Sequence, residues 1–421
     1  MKLESIRMNF LIIGLIVLLL IFFSPTQIAV KATYSTWTNM TPSSAPSPRS
    51  AFRLAYDNES DKVILFGGQL NATTQQRYDD TWIYNFNMNK WTNKTPVFGP
   101  GRRGNYAMAY DSESDRTILF GGVKTYYAPP NPVECWDDTW AYDYNTNTWV
   151  QMNPSAKPTA RGGAGTVYDI ESDRLILFGG WNEERSYLND IWEYDYNSNN
   201  WAQLNPDSLP PARYYPGMAY DKESDRVILF GGFSVGTNLG DTWAFDYNSN
   251  SWTNMNPSIA PPARFGGFLA YDAQSDLTIL FGGANEDKTI AYSDTWVFDY
   301  NTNTWTNLTN DIHPPGRFYI DMTYDYESDV IILFGGHNEN NIRLNDTWAF
   351  EYKEGTQTNT STTSTTYIST TSLTNTSTTN KISKTTTPKT EIITTTNTTP
   401  SWTLFLIFLS FLTLILIKRW R

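Results

Sequence analysis

The octapeptide Asp225-Arg-Val-Ile-Leu-Phe-Gly-Gly232 recurs six times along the chain in close variants. Its run of apolar residues, without polar alternation, predicts a strand that is buried on both faces. The glycine pair that follows permits a sharp exit, or a close backbone approach that a Cβ atom would block. A period of about fifty residues with four strand-like segments predicts a propeller array. The glycine pairs are Gly67-Gly68, Gly121-Gly122, Gly179-Gly180, Gly231-Gly232, Gly282-Gly283 and Gly335-Gly336.

Each unit opens with an arginine and begins its third strand with an aspartate. Both lie at the same face of the predicted disc, two strand spacings of about 4.8 Å apart within one unit, a distance that a guanidinium side chain can span. We therefore predict a structural ion pair in every unit; the alternative is a ring of arginines that grips an acidic ligand. The arginines are Arg49, Arg103, Arg161, Arg213, Arg264 and Arg317. The aspartates are Asp80, Asp138, Asp190, Asp241, Asp294 and Asp346.

The first strand of each unit ends in Tyr-Asp and leads into a turn of the form Asp-x-Glu-Ser-Asp, as at Asp57–Asp61. The fifth copy departs from this form, with Gln274 in place of glutamate. We interpret these segments as tight turns, because Asp and Ser side chains bond their own local backbone. A calcium site is the alternative, although the spacing and the glycine of an EF-hand loop are missing.

The sixth unit lacks the second tryptophan that opens a fourth strand in the other units. At the other end of the chain, Trp37-Thr-Asn-Met40 matches Trp252-Thr-Asn-Met255 residue for residue, and the latter opens a fourth strand. We predict that the N-terminal segment supplies the missing strand and closes the ring. Closure removes the open sheet edges that otherwise invite aggregation.

Two charged residues stand at equivalent places in the first strands of units one and six. Counting three residues back from the strand-ending tyrosine gives Arg53 in the first unit and Asp321 in the sixth. Those units are neighbours in a closed ring, so we predict that the two side chains approach each other near the central channel.

The repeat resembles that of the kelch family: an apolar strand ending in Gly-Gly, then an aromatic residue, then tryptophan seven residues later, as in Phe245 and Trp252. The resemblance covers roughly Trp37 to Tyr352. It implies an all-β fold, a six-bladed propeller of four-stranded antiparallel sheets. It does not imply one function, because propellers of this family serve as binding modules and, less often, as enzyme scaffolds.

The galactose-oxidase type of kelch propeller holds copper with several histidines and a Tyr–Cys pair. His313 and His337 are the only histidines here and Cys135 is the only cysteine, so that site is not visible. No catalytic triad, phosphate-binding loop or zinc spacing appears either. We expect no metal, no cofactor and no catalytic residue, while a hydrolase with paired carboxylates stays open.

The two ends of the chain differ in composition from the repeats. Residues 1–32 carry Lys2 and Arg7 before an apolar run, which predicts a signal peptide, with an uncleaved anchor as the alternative. Residues 33–352 form the propeller. Residues 353–400 are mostly Thr and Ser, typical of an exposed stalk. Residues 401–421 are apolar with a basic end, which predicts a single-pass membrane anchor and a cytoplasmic C-terminus.

Charge and sequons narrow the partners further. The net charge of −12 argues against nucleic acid, and the single cysteine excludes an intramolecular disulfide. In an exported protein, Asn-x-Thr or Asn-x-Ser triplets are candidate glycan acceptors. Asn-x-Thr triplets begin at Asn39, Asn71, Asn93, Asn307 and Asn345, and the stalk has acceptor triplets at Asn359, Asn375 and Asn397.

Recognition is expected on one face of the disc. Turns between strands one and two and between strands three and four share one face and are nearly uniform, whereas the remaining loops share the other face and vary. We expect aromatic side chains in the varied loops to be exposed and to contact a ligand, since they bring large contact area at low entropy cost. The alternative is that several of them pack under their own loops. Trp181 is the strongest single candidate. The set is Tyr126, Tyr127, Trp136, Trp181, Tyr187, Phe233 and Tyr292.

These observations favour a cell-surface binding module, held on a stalk, that recognises an extracellular protein or glycan. The competing hypothesis is a surface hydrolase that acts on carbohydrate with the same propeller. Two carboxylates facing each other across a pocket would favour the enzyme, and an aromatic face would favour binding.

Overall fold

The computed structural model describes residues 32–70, 76–125 and 133–355. In this part of the chain the strands form six four-stranded antiparallel sheets. One short additional hairpin pairs Phe233–Ser234 with Thr237–Asn238. The predicted all-β six-bladed propeller is therefore confirmed. Within these ranges there is no helix long and apolar enough to cross a membrane. Residues 1–31 of the predicted signal peptide, most of the stalk, the anchor, Tyr126 and Tyr127 lie outside the described residues, whereas Ala32 already belongs to a strand.

Strand bounds follow the same scheme in every blade. The first strands are Arg53–Asp57, Ala107–Asp111, Gly165–Asp169, Gly217–Asp221, Phe265–Asp272 and Asp321–Asp325. The second strands are Lys62–Gln69, Arg116–Thr125, Arg174–Trp181, Arg226–Phe230, Leu277–Ala284 and Val330–Phe334. The third strands are Arg77–Asn85, Glu134–Asp143, Tyr187–Asp195, Thr242–Asp246, Thr295–Asp299 and Thr347–Gly355. The fourth strands are Lys90–Asn93, Thr148–Met152, Asn200–Leu204, Ser251–Asn254, Thr304–Asn307 and, for blade 6, Ala32–Asn39.

The second strands are apolar throughout because each blade is packed between two neighbours. Alternate residues of one strand point to opposite faces. In blade 1, Val63 and Leu65 join a buried cluster with Phe334 of blade 6. Ile64 and Phe66 instead join a cluster with Leu119 of blade 2. Both faces are buried, so no polar alternation remains in the sequence.

The glycine pair joins each blade to the next. All twelve glycines of these pairs have positive φ. The second glycine donates its N–H to the carbonyl of the arginine that opens the following blade, as from Gly232 to Arg264 at 2.9 Å. A Cβ atom on Gly231 would lie only 2.6 Å from that carbonyl oxygen. The last of these bonds runs from Gly336 to Arg49 at 2.9 Å and so closes the ring.

The N-terminal strand completes blade 6, as predicted. Ala32–Asn39 pairs antiparallel with Thr347–Gly355, with Trp37 opposite Phe350. The Trp37 side chain is buried, and its Nε1 donates to Thr295 Oγ1 of blade 5 at 2.9 Å. The third strand of blade 6 runs three residues beyond the predicted end of the propeller at Tyr352, to Gly355.

Every fourth-strand tryptophan reaches back to the preceding blade. In five blades its Nε1 donates to the threonine of the Asp-Thr-Trp segment there, as from Trp201 to Thr139 Oγ1 at 3.0 Å. Blade 3 has Ile191 in place of threonine. Trp252 packs in the same buried cluster as Ile191, and its Nε1 has no hydrogen-bond partner among the described residues.

The missing threonine gives a direct test of this contact. In urea unfolding, the free energy of unfolding of Ile191→Thr should exceed that of the matched Ile191→Val by about 1 kcal/mol, because only threonine accepts the Trp252 N–H. A buried valine ordinarily exceeds threonine in stability, so the order is diagnostic. Conversely, Thr139→Val should lower the free energy of unfolding by about 1–3 kcal/mol, because it leaves the Trp201 N–H without an acceptor. Equal stability of the two Ile191 variants would contradict this account.

Ring closure is tested by removing the N-terminal strand. A chain that begins at Ser43 lacks the outer strand of blade 6 and leaves blade 5 without its Trp37 contact. We expect its unfolding transition to be broader and its Tm lower than those of residues 33–352, because each blade is stabilised only by its neighbours. Identical melting of the two chains would show that closure contributes nothing.

Candidate binding surface

The six predicted Arg–Asp pairs lie inside the blades. In blade 1, Arg49 donates from Nη1 and Nη2 to the two carboxylate oxygens of Asp80 at 2.7 and 2.8 Å. Its Nη1 also donates to the Gly67 carbonyl, and its Nε to the Ser47 carbonyl. The other five arginines repeat the bidentate pattern. All six are buried, so they do not present a ring of open guanidinium groups to a ligand.

The electrostatics of these pairs agree with a structural role. Burial alone would raise the pKa of Asp346, but the hydrogen bonds and charge of Arg317 hold it below its ordinary value. The same balance lowers the pKa of Asp190, Asp241 and Asp294. In every blade the following tryptophan adds a bond to the same carboxylate, as from Trp348 Nε1 to Asp346 at 2.7 Å. Each residue of the Asp-Thr-Trp segment therefore has a structural role: the aspartate binds the arginine, the threonine accepts the tryptophan N–H of the next blade, and the tryptophan donates to the aspartate.

The uniform Asp-x-Glu-Ser-Asp segments form tight turns. Asp57 Oδ1 accepts the Ser60 backbone N–H at 2.9 Å, and Asp61 adopts positive φ. Tyr56, at the end of the first strand, donates its hydroxyl to Asp61. Among the described residues no group of three His, Cys, Asp or Glu side chains could hold a metal ion.

Two of the candidate aromatic residues cover the buried arginines. The Arg264 guanidinium lies 4.0 Å from the ring centroid of Tyr292, and that of Arg103 lies 4.9 Å from Trp136. Tyr78, which the sequence analysis did not single out, covers Arg49 in the same way at 4.1 Å. These rings stack on cations of their own blades, a contact that accounts for their presence without a ligand.

The other described candidates cluster between blades 2 and 4. Trp181 is 8% exposed and packs against Val123 and Val133, so it is a buried side chain and not the exposed one that we expected. Tyr187 stacks on Tyr214 with ring centroids 5.4 Å apart, and Phe233 lies against the same ring. Trp181 and Tyr187 nevertheless form part of a cavity wall at the varied-loop face.

That cavity, which we call the bowl, has a volume of about 760 Å³. Its wall is aromatic and polar together. The aromatic residues that line it are Trp181, Tyr187, Tyr214, Tyr215, Phe318 and Tyr319, with His337 beside them. The charged residues that line it are Arg77, Arg185, Lys288 and Arg343, against Asp287 and Glu339. Among the residues that the structure describes, the lining of the bowl is thus richer in cations than in carboxylates, although the whole chain has a net charge of −12.

A closed circle of backbone hydrogen bonds runs through the blades at the bowl. The residue two positions after each opening arginine donates its N–H to the equivalent carbonyl of the preceding blade, at 2.7 to 3.2 Å. All six have φ between 51° and 68°. The members are Ala51, Asn105, Gly163, Tyr215, Gly266 and Tyr319.

Tyrosine is an unexpected residue at positive φ. Such a backbone is strained for a bulky side chain, and strain of this kind clusters at functional sites. Tyr215 and Tyr319 place their rings 4.6 Å apart, on either side of the glycine that blade 5 contributes. The sequence carried a signal for them, because other copies have Gly, Ala or Asn at this position.

Blades 5 and 6 bring unpaired polar groups to the bowl. Arg343 Nη1 donates to the Asn341 carbonyl and Oδ1, while its Nε is buried without a partner. Neither Arg343 nor Lys288 forms an ion pair within the part of the chain that the structure describes. His337 is 6% exposed, and its Nδ1 has no hydrogen-bond partner there. Burial, together with Arg343 and Lys288, lowers the pKa of His337 to about 3, so the imidazole is neutral at pH 7.

Comparison with known proteins assigns the family. The model of the KLHDC2/KLHL20/DRC7 kelch-repeats domain matches residues 26–169, 152–323 and 273–384. The chain belongs to the kelch-repeat proteins. Membership in this family favours a protein-binding module over an enzyme.

Relatives are distant and longer than this chain. Mei4-dependent protein 6 of Schizosaccharomyces pombe is 22% identical over 346 residues, 72% of this chain and 48% of the relative. The F-box/kelch-repeat protein At1g51550 of Arabidopsis thaliana is 24% identical over 57% of this chain and 53% of its own length. This kelch chain therefore spans about half of their length. The solved structure of YjhT matches with a TM-score of 0.58 at 17% identity, covering 73% of this chain and 96% of that one, which shows a shared fold.

Arg53 and Asp321, which were predicted to approach each other near the central channel, form no direct ion pair among the described residues. Both line a cavity of about 180 Å³ around the propeller axis. Asp321 accepts the backbone N–H of Leu54 at 2.6 Å and of Met322 at 2.9 Å. Arg53 instead lies 4.5 Å from the Phe268 ring centroid and donates to the Ala164 carbonyl. Burial raises the pKa of Asp321 to about 6, with Arg53 opposing the rise.

This buried carboxyl predicts a pH dependence of stability. The folded protein retains a proton on Asp321 between about pH 4 and pH 6, where the unfolded chain has lost it, so the contribution of this group falls as pH rises through that window. The advantage of the wild type over Asp321→Asn should therefore shrink by up to about 3 kcal/mol between pH 4 and pH 7. Urea unfolding at both pH values measures it, and a difference independent of pH would contradict the assignment.

Proposed function

We propose that this kelch propeller is a binding module that seats an acidic segment of a protein partner in the bowl. The observation that carries the proposal is the excess of cations over carboxylates among the described lining residues of a cavity of about 760 Å³, together with the aromatic rings that line it. Two of these cations, Arg343 and Lys288, form no ion pair among the described residues. The Arg343 guanidinium is half-buried, its Nε has no hydrogen-bond partner and it forms no ion pair among the described residues, so a carboxylate of a ligand would complete its contacts. The kelch family supports a protein as that ligand.

Different side chains of the bowl would make different contacts with the partner. Arg343 and Lys288 would attract and hold a carboxylate of the partner, and charge-assisted bonds of this kind are among the stronger ones in proteins. The neutral His337 can accept or donate one hydrogen bond through Nδ1, according to its tautomer. Tyr215 and Tyr319 supply apolar contact area at the floor, and their tilted packing fixes both rings.

A carbohydrate hydrolase is less well supported by the bowl. Asp287 and Glu339 are the carboxylates among its described lining residues. Glycosidases need one carboxylic acid with a raised pKa to protonate the leaving group. Hydrogen bonds from the Thr289 side chain and backbone instead lower the pKa of Asp287. The geometry therefore favours binding.

We further propose that the propeller acts outside the cell, on the Thr/Ser-rich stalk of residues 353–400 and a C-terminal membrane anchor. The sequence supports this through the apolar N-terminal segment, the composition of the stalk and the basic residues after residue 417. Residues 33–352 are the portion to screen against surface-protein and glycan libraries.

Charge and ring variants test the bowl once the screen returns a protein. Arg343→Ala and Lys288→Ala should each weaken binding about tenfold or more, because each removes a charge-assisted contact. Tyr319→Asn should do likewise while keeping the fold, since asparagine tolerates positive φ and Asn105 holds the same position in blade 2. Binding should also weaken as salt is raised.

Lys222→Ala is the matched control, because Lys222 is an exposed lysine in a uniform turn of blade 4. It should leave both affinity and Tm unchanged. If Lys222→Ala weakens binding and the three bowl variants do not, the site lies on the other face. A ligand found only among glycans would overturn the choice of a protein partner and leave the bowl as a sugar site.

A further inference from the structure

The fourth strands form the outer rim of the propeller, and one position on that rim divides the ring into two halves. Two residues after the fourth-strand tryptophan, blades 5, 6 and 1 each have an asparagine that begins an Asn-x-Thr triplet. These three blades are consecutive in the ring, joined by the bonds from Gly283 to Arg317 and from Gly336 to Arg49. The three asparagines are Asn307, Asn39 and Asn93.

The three sites share one local geometry. Each asparagine is exposed, and its Oδ1 accepts the backbone N–H of the threonine two residues later at 2.9 to 3.0 Å. That bond leaves the Nδ2 atoms of Asn39, Asn93 and Asn307 without a hydrogen-bond partner in the part of the chain that the structure describes. The atom that carries an N-linked sugar is thus open to solvent at all three positions.

The other half of the rim lacks acceptors. Blades 2 and 3 have Gln151 and Gln203 at the equivalent position. Blade 4 has Asn254, which is also exposed and makes the same turn with the N–H of Asn256 at 3.1 Å, but no hydroxyl residue follows it. Asn254 therefore has the geometry without the triplet.

We infer that N-linked glycans occupy Asn39, Asn93 and Asn307 and shield one half of the rim, leaving blades 2 to 4 bare. The reaction joins asparagine Nδ2 to C1 of a sugar as the bond from C1 to the diphosphate of a lipid-linked oligosaccharide donor breaks. The amide loses one proton, and the lipid diphosphate leaves with the electron pair of the broken bond. The inference rests on the proposed export of the chain.

Glycans at this half of the rim would shield strand edges that could otherwise pair with other chains. The fourth strand of every blade has one unpaired edge, and exposed edges template association with other chains. Sugars at the ends of three adjacent edges cover that sector. The bare sector exposes an apolar residue at its rim, Val150, which is 54% exposed.

Peptide mass spectrometry tests the sites on the full chain recovered from a secreting eukaryotic host. Enzymatic release of N-glycans in heavy-oxygen water converts each occupied asparagine to labelled aspartate. Asn39, Asn93 and Asn307 should carry the label and Asn254 should not. Asn93→Gln should also remove one glycan increment from the intact mass, whereas Asn254→Gln should not.

The stalk triplets at Asn359, Asn375 and Asn397 serve as internal reference. Label on the stalk but on none of the three rim sites would overturn the inference while leaving export intact. No label on stalk or rim would overturn the inference together with export, while binding by the bowl stays testable on residues 33–352. If a variant with glutamine at all three rim sites remains as monomeric as the glycosylated chain, shielding is the wrong purpose.

Discussion

The hydrogen bond between a glycine N–H of one blade and an arginine carbonyl of the next is the contact on which the rest of the propeller depends. It recurs at every blade boundary, including the one that joins the last blade to the first. The same arginine sends its guanidinium back into its own blade, to the third-strand aspartate and to the carbonyl of its own glycine pair. One residue type therefore fixes both the joint between blades and the inner packing of each blade. Positive φ at the glycines makes the close approach possible.

This division leaves a different set of residues for the recognition that we propose. The arginines and aspartates of the six units bind each other inside the blades. Trp136 and Tyr292 also have a structural contact, because they stack on two of those arginines. The residues free to vary stand two positions further on, where the backbone circle closes. Gly, Ala or Asn suffices there for closure, whereas blades 4 and 6 carry tyrosine in a strained conformation. That exception marks the floor of the bowl.

Charge is distributed in the same asymmetric way. The uniform turns hold most of the repeated carboxylates, and the hydroxyl of each first-strand tyrosine bonds one of them, as from Tyr220 to Asp225 at 2.9 Å. The bowl lies on the opposite face and has more cations than acids. The acidic partner that we propose would be repelled by the turn face and attracted to the bowl, since charge patterns orient the encounter of two proteins.

The sequence by itself determined the number of blades, the order of strands, the Arg–Asp spacing and the closing strand at Trp37. These features follow from local rules: period-two burial, glycine conformations and a match between two tetrapeptides. Only the tertiary structure decided which side chains reach the bowl. Trp181 follows a glycine pair and was expected to be exposed, yet it is buried against Val123 and Val133 of the neighbouring blade. His337, Lys288 and Arg343 come together because neighbouring blades converge toward the axis. Periodicity along the chain carries no information about that convergence, since it depends on how separate loops pack around a closed ring.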